Sequence, residues 1–115
     1  MGVIARDGVF DAEWMAEQIN ALRSLLHDLE RLQRGEQPDK SELEDAPLIA
    51  NWRFGYRKAV CLEGTMHGHP ILGSIVPGGI TSELWYIDLK LGFARTYSRF
   101  YRLGKPAGPI PDDID

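Results

Sequence analysis

One stretch near the N-terminus limits the fold more than any other. Met15, Ile19, Leu22, Leu26 and Leu29 follow a 4-3-4-3 spacing, and Trp14, Leu25 and Leu32 widen the stripe on one side. That is the heptad seam of an amphipathic helix. Asp11 is a natural N-cap, and Glu13 places a carboxylate in the first turn. Arg31 and Arg34 place cations in the last turn, Glu30 and Arg34 form an i,i+4 pair, and Gly35 suits the C′ position. These signals predict a helix over 11–34. Such a helix is about 36 Å long at 1.5 Å per residue. A compact domain of this chain length has a radius of gyration of about 13 Å, so it is no wider than the helix is long. The helix must lie across a sheet or find a partner.

Charge divides the chain at the same place. Residues 1–50 carry 5 Lys/Arg and 11 Asp/Glu, whereas residues 51–105 carry 8 Lys/Arg and 3 Asp/Glu. Nine of the eleven aromatic residues lie between Trp52 and Tyr101. An acidic helical half therefore precedes a basic, aromatic half. A single cysteine, Cys61, excludes an internal disulfide framework and a Cys-built zinc site. No apolar run reaches the ~18 residues of a membrane span, and the first residues lack a signal-peptide core. A cytoplasmic protein without membrane contact is expected.

Residues 35–47 read as an acidic, solvated linker, in which Ser41 and Glu44 have capping-box spacing for one helical turn. The second half reads as strands at 52–64, 69–76, 80–89 and 93–104, separated by turn signals that include Pro77-Gly78-Gly79 and Lys90-Leu91-Gly92. The expected fold class is α+β: a long N-terminal helix followed by a four-stranded antiparallel meander, curled toward a small barrel. Its parts are a helical arm over 1–34, the linker over 35–47, a β domain over 48–104 and a Pro/Asp-rich flexible tail over 105–115.

The richest candidate site is the last predicted strand. Period-2 alternation puts Phe93, Arg95, Tyr97, Arg99 and Tyr101 on one face, and Arg53, Arg57 and Lys58 of the first strand extend it. Trp85 or Tyr86 adds a ring from the third strand. Guanidinium forks beside rings suit single-stranded nucleic acid. The competing reading packs the tyrosines into the sheet while the arginines snorkel over them and pair with Glu63, Glu83 or Asp88. His67 and His69 are a weak metal pair, with Cys61, Glu63 or Asp88 as a third ligand. The glycine between them and Pro70 after them argue instead for a structural bend. Cys61, in an apolar run, reads as a small hydrophobe, and His27 lies on a solvated helix face between Arg23 and Arg31. Thr81 and Ser82 read as hydroxyls that satisfy a strand start, although a base at His69 would make either a nucleophile. No phosphate loop, paired carboxylates or catalytic constellation is visible, so no enzyme, cofactor or metal is expected.

Gly68-His69-Pro70, Thr81-Ser82, Asp88 and the run from Ala94 to Gly104 (ARTYSRFYRLG) together resemble small uncharacterised proteins encoded on bacterial phages and plasmids. The resemblance covers the C-terminal third and implies a mobile-element accessory protein, one that binds a host factor and inhibits a host defence complex. Three functions are therefore carried forward. The first is a non-enzymatic protein-binding module that self-associates through Met15, Ile19, Leu22, Leu26 and Leu29 and docks its unknown partner on the helix or on the sheet. The second is a single-stranded nucleic-acid-binding module using Arg95, Tyr97, Arg99, Tyr101, Arg53 and Arg57. The third is a metal-dependent hydrolase built on His67 and His69.

Overall fold

The computed structural model describes residues 3–5 and 8–110. The chain forms two compact units, 12–57 and the remainder.

The first unit holds helix α1, Ala12–Gln33, and helix α2, Lys40–Asp45. The end of α1 follows from Gly35, whose φ of 83° carries the chain into the left-handed region. The Gly35 amide donates to the Leu32 carbonyl at 3.0 Å and the Glu36 amide to the Arg31 carbonyl at 2.9 Å, the paired bonds of a Schellman stop. Part of the expected linker is helical. Its capping box is Asp39 with Glu42, two residues before the Ser41–Glu44 pair expected from the sequence. The Glu42 amide donates to Asp39 Oδ1 at 2.8 Å. Glu42 also accepts both terminal nitrogens of Arg31, at 2.8 and 3.0 Å, clasping α2 to the last turn of α1. That bidentate contact holds the Glu42 carboxyl below its ordinary pKa and raises that of Arg31.

Among the described residues, the second unit contains six strands: β1 Val3–Ala5, β2 Glu63–His69, β3 Gly73–Ile80, β4 Leu84–Asp88, β5 Phe93–Thr96 and β6 Phe100–Arg102. They form two sheets. One is the antiparallel β2–β3 hairpin, and the other has the order β1-β4-β5-β6. The single meander expected from the sequence is therefore replaced by two sheets, and neither closes into a barrel. Three physical causes account for the difference. First, residues 51–62 are not a strand; 60 and 62 contribute isolated backbone bonds, with the Leu84 amide donating to the Val60 carbonyl and the Thr81 amide to the Leu62 carbonyl. Second, Pro77-Gly78 is a bulge inside β3 and not a turn. Gly64 pairs with Gly79 and Met66 with Val76, which leaves one extra residue on β3, and Gly78 absorbs it at φ 65°. Third, β1 adds in parallel to β4, with Val3 opposite Tyr86 and Ala5 opposite Asp88.

The core lies on one face of the larger sheet. Leu84, Ile87 and Ala94 are buried, with Val60, Leu62, Leu89 and Leu103 packed against them. Leu84 and Ile87 are three apart, which ordinary alternation would place on opposite faces. A shift of register between Leu84 and Tyr86 inserts Trp85 as the extra residue and brings both to the core.

Candidate binding surface

The run 93–104 is not one strand. It breaks at Tyr97-Ser98-Arg99, and β5 folds back on β6. Thr96 explains the break. Its amide donates to the Arg99 carbonyl at 2.9 Å, and its hydroxyl oxygen accepts from the Ser98 and Arg99 amides at 3.2 and 3.3 Å. A hydroxyl that satisfies the two following amides stabilises a turn over a continued strand. Ser98 adds a second tie, with its amide donating to Ser82 Oγ at 3.1 Å and its hydroxyl 2.9 Å from the same atom.

The break rearranges the expected site. Arg95, Tyr97, Arg99 and Tyr101 do not share a face. Tyr97 and Arg99 occupy the turn, and Tyr101 pairs with Ala94 on the core face, its ring 6.3 Å from that of His69. Arg53 and Arg57 lie in the coil of the helical unit, outside any strand, beside exposed Trp52, Phe54 and Tyr56.

A different basic aromatic face stands in its place. Arg95 is opposite Phe100 on one side and Tyr86 on the other, and Phe93 is opposite Arg102. Cations and rings thus alternate across three strands. Tyr86 and Phe93 stack at 5.8 Å, Phe93 meets Phe100 edge-on at 5.9 Å, and Phe10 meets Tyr86 edge-on at 6.3 Å. The Arg95 guanidinium lies 5.2 Å from the Phe100 ring centroid. Phe100 is 65% exposed and Tyr97 76%. Alternation along an unbroken strand puts Phe100 on the opposite face, so sequence reasoning left Phe100 and Arg102 out of the site.

The other candidates resolve as structural groups. The His69 imidazole accepts from the Ile71 and Leu72 amides through Nδ1, at 3.1 and 3.0 Å, closing the β2–β3 turn. Among the described residues, no group of three His, Cys, Asp or Glu could hold a metal. Thr81 Oγ1 accepts from the Leu62 amide and donates to the Ser82 carbonyl. Asp88, 1% exposed, accepts from the Lys90 and Leu91 amides through Oδ1 at 3.0 and 2.9 Å, capping the β4–β5 turn. Cys61 is half-buried.

The helix seam is where the sequence puts it, and it is uncovered. No residue of α1 is buried. Ile19, Leu22, Leu25, Leu26, Leu29 and Leu32 are between 41% and 57% exposed, while Met15 is half-buried. No helix among the described residues is long and apolar enough to cross a membrane.

A family of unknown function (DUF6634) matches the chain over residues 23–113. The chain belongs to that family. No curated protein and no solved structure matches it. The DUF6634 span takes in the last three turns of α1, helix α2 and strands β2 to β6. It therefore includes the alternating face of cations and rings, the hydroxyl-tied β5–β6 turn and the C-terminal half of the helix seam.

Proposed function

We propose that this protein is a non-enzymatic protein-binding module whose docking element is α1, seated against a helix of its partner. The carrying observation is the uncovered seam: six large aliphatic side chains on one helix, each between 41% and 57% exposed. A contiguous apolar stripe on a soluble protein marks an interaction surface. Covering six half-exposed side chains is worth on the order of 5 kcal/mol before the costs of association. A helix is the fitting occupant because the 4-3-4-3 spacing presents knobs at the interval that a second helix accepts. Leu25 and Leu32 broaden the stripe to about three positions in seven, the width used by helices in bundles. Exposed Trp52, Phe54 and Tyr56 add further apolar contact area in the same unit. A mobile-element setting, implied by the motif resemblance, is not needed for this reading.

The test is position-specific photo-crosslinking in living cells. A photoreactive residue at Leu26 is compared with one at Ser24, about 200° away around the helix. A discrete crosslinked species is expected from position 26, absent from position 24, and lost when Leu22→Glu and Leu29→Glu are added. A species of twice the chain mass identifies a second copy as the occupant. Equal yields from both positions, or none from position 26, would overturn the proposal.

A further inference from the structure

The β5–β6 hairpin carries a charge pattern that the helix seam does not use. Residues 89–110 contain Lys90, Arg95, Arg99, Arg102 and Lys105 and no Asp or Glu. Among the described residues, no carboxylate forms an ion pair with Arg95, Arg99 or Arg102. Asp88 opposes Phe93 on the neighbouring strand, but its carboxylate is buried and holds the Lys90 and Leu91 amides. Arg99 even leaves its Nε buried without a hydrogen-bond partner, a group that folding normally satisfies. Three guanidinium groups within eight residues, none paired with a carboxylate, call for a polyanion.

The rings narrow the choice among polyanions. Tyr97 stands at the turn between β5 and β6, 76% exposed, and Phe100 is 65% exposed with Arg95 against its ring. Tyr86 and Phe93 stack on each other, so these two are less open to an incoming base. Open ring surfaces among unpaired guanidinium groups match unpaired bases carried on a phosphate chain. A duplex hides the faces of its bases, and an acidic polypeptide has no planar group for the rings to take.

We infer that the β5–β6 hairpin binds single-stranded nucleic acid, with Arg95, Arg99 and Arg102 on phosphates and Tyr97 and Phe100 on bases. This surface is separate from the α1 seam, so either can fail without the other.

The experiment is fluorescence anisotropy with the full chain and a labelled 12-nucleotide single strand of mixed sequence, about the site size of small single-strand binders. Three phosphate contacts predict affinity about 20-fold weaker at 200 mM than at 50 mM salt, from a slope of about −0.7 per contact. The double variant Arg95→Gln/Arg102→Gln should bind weakly and lose only about threefold over the same range, since one contact remains. Tyr97→Ala should weaken binding with the salt slope unchanged, which a purely electrostatic surface would not show. Arg23→Gln, a cation removed from α1, should bind like the parent. Circular dichroism melts establish that each variant is folded, and the Tyr97 change, at an exposed turn position, serves if the double variant is not. No binding at 50 mM salt would overturn the inference. So would unchanged binding by the folded double variant, equal or tighter binding to the matching duplex, or binding to poly-glutamate as tight as to the oligonucleotide.

Discussion

The sheet unit and the helical unit use apolar residues in opposite ways. The sheet buries Leu84, Ile87 and Ala94 with few large side chains, whereas α1 carries a longer run of leucines and buries none. Hydrophobic patterning alone therefore does not locate the core. In the sheet, backbone pairing through register shifts brings distant residues onto one covered face. In the helix, local spacing builds a stripe complete within 22 residues that waits for something outside them. The first stabilises the fold, and the second stays exposed.

The largest expected effect sets these two uses side by side. Leu84→Ala, at 2% exposure, should cost about 3 kcal/mol in a denaturant melt, as core truncations do. Leu26→Ala, at 57% exposure, should stay within about 0.5 kcal/mol. Equal losses would mean that the seam is covered in solution, and would erase the contrast.

Next comes Gly79→Ala, which probes how tightly the small hairpin is packed. A Cβ there would sit 2.9 Å from Met66 Sδ and 3.0 Å from its Cε and Cγ, so the Met66 side chain must move aside. Overpacking of this kind costs about 1–3 kcal/mol. The loss should shrink in a Met66→Ala background, and a double-mutant cycle measures the coupling. An additive cycle would show that the contact is loose.

Asp88→Ala removes the acceptor for two turn amides in a buried position. A loss of about 1–2 kcal/mol is expected, with faster amide exchange at Lys90 and Leu91. Unchanged exchange at those two amides would remove the turn-cap role.

The smallest effect belongs to the helical unit. The Glu42 carboxyl is held below its ordinary value by Arg31, so it favours the folded state above the unfolded carboxyl pKa of about 4.3. That contribution is lost as pH falls through the depressed folded value. Both side chains are solvent-facing, so screening keeps it small. Glu42→Gln should melt slightly below the parent at pH 7, and the gap should narrow as the pH is taken below the ordinary carboxyl range. A gap unchanged by acid would mean that the clasp contributes no charge-dependent stability.

How much was legible in the sequence follows the same contrast. The helix could be read to within a residue at each end, because its period, its glycine stop and its terminal charges are all local. The strands were read less well. At 93–104 the alternation of rings and cations outweighed Thr96 and Ser98, two hydroxyls flanking Tyr97 that are themselves a turn signal. The stretch 52–62 has strand-like composition and forms no strand; Val60 and Leu62 make single backbone bonds to Leu84 and Thr81 without building a ladder, so β-propensity alone misleads there. Trp85 and Pro77-Gly78 mark shifts of register that no period reveals. The motif residues His69, Thr81, Ser82 and Asp88 stood out in the sequence, but their hydrogen bonds satisfy turns and strand ends. The basic aromatic surface was legible in kind and misassigned in membership, because its composition survives the break in the strand and its geometry does not.

The parallel pairing of β1 with β4 has a consequence for how the chain is made. Val3 and its partner Tyr86 are 83 residues apart in the chain. At synthesis rates of about 5–20 residues per second, β1 leaves the ribosome roughly 4–17 seconds before the strand it pairs with. During that interval α1 can already form, since it needs only its own residues. The nascent chain thus exposes the apolar seam of α1 before its sheet can close, while the rest is still being translated.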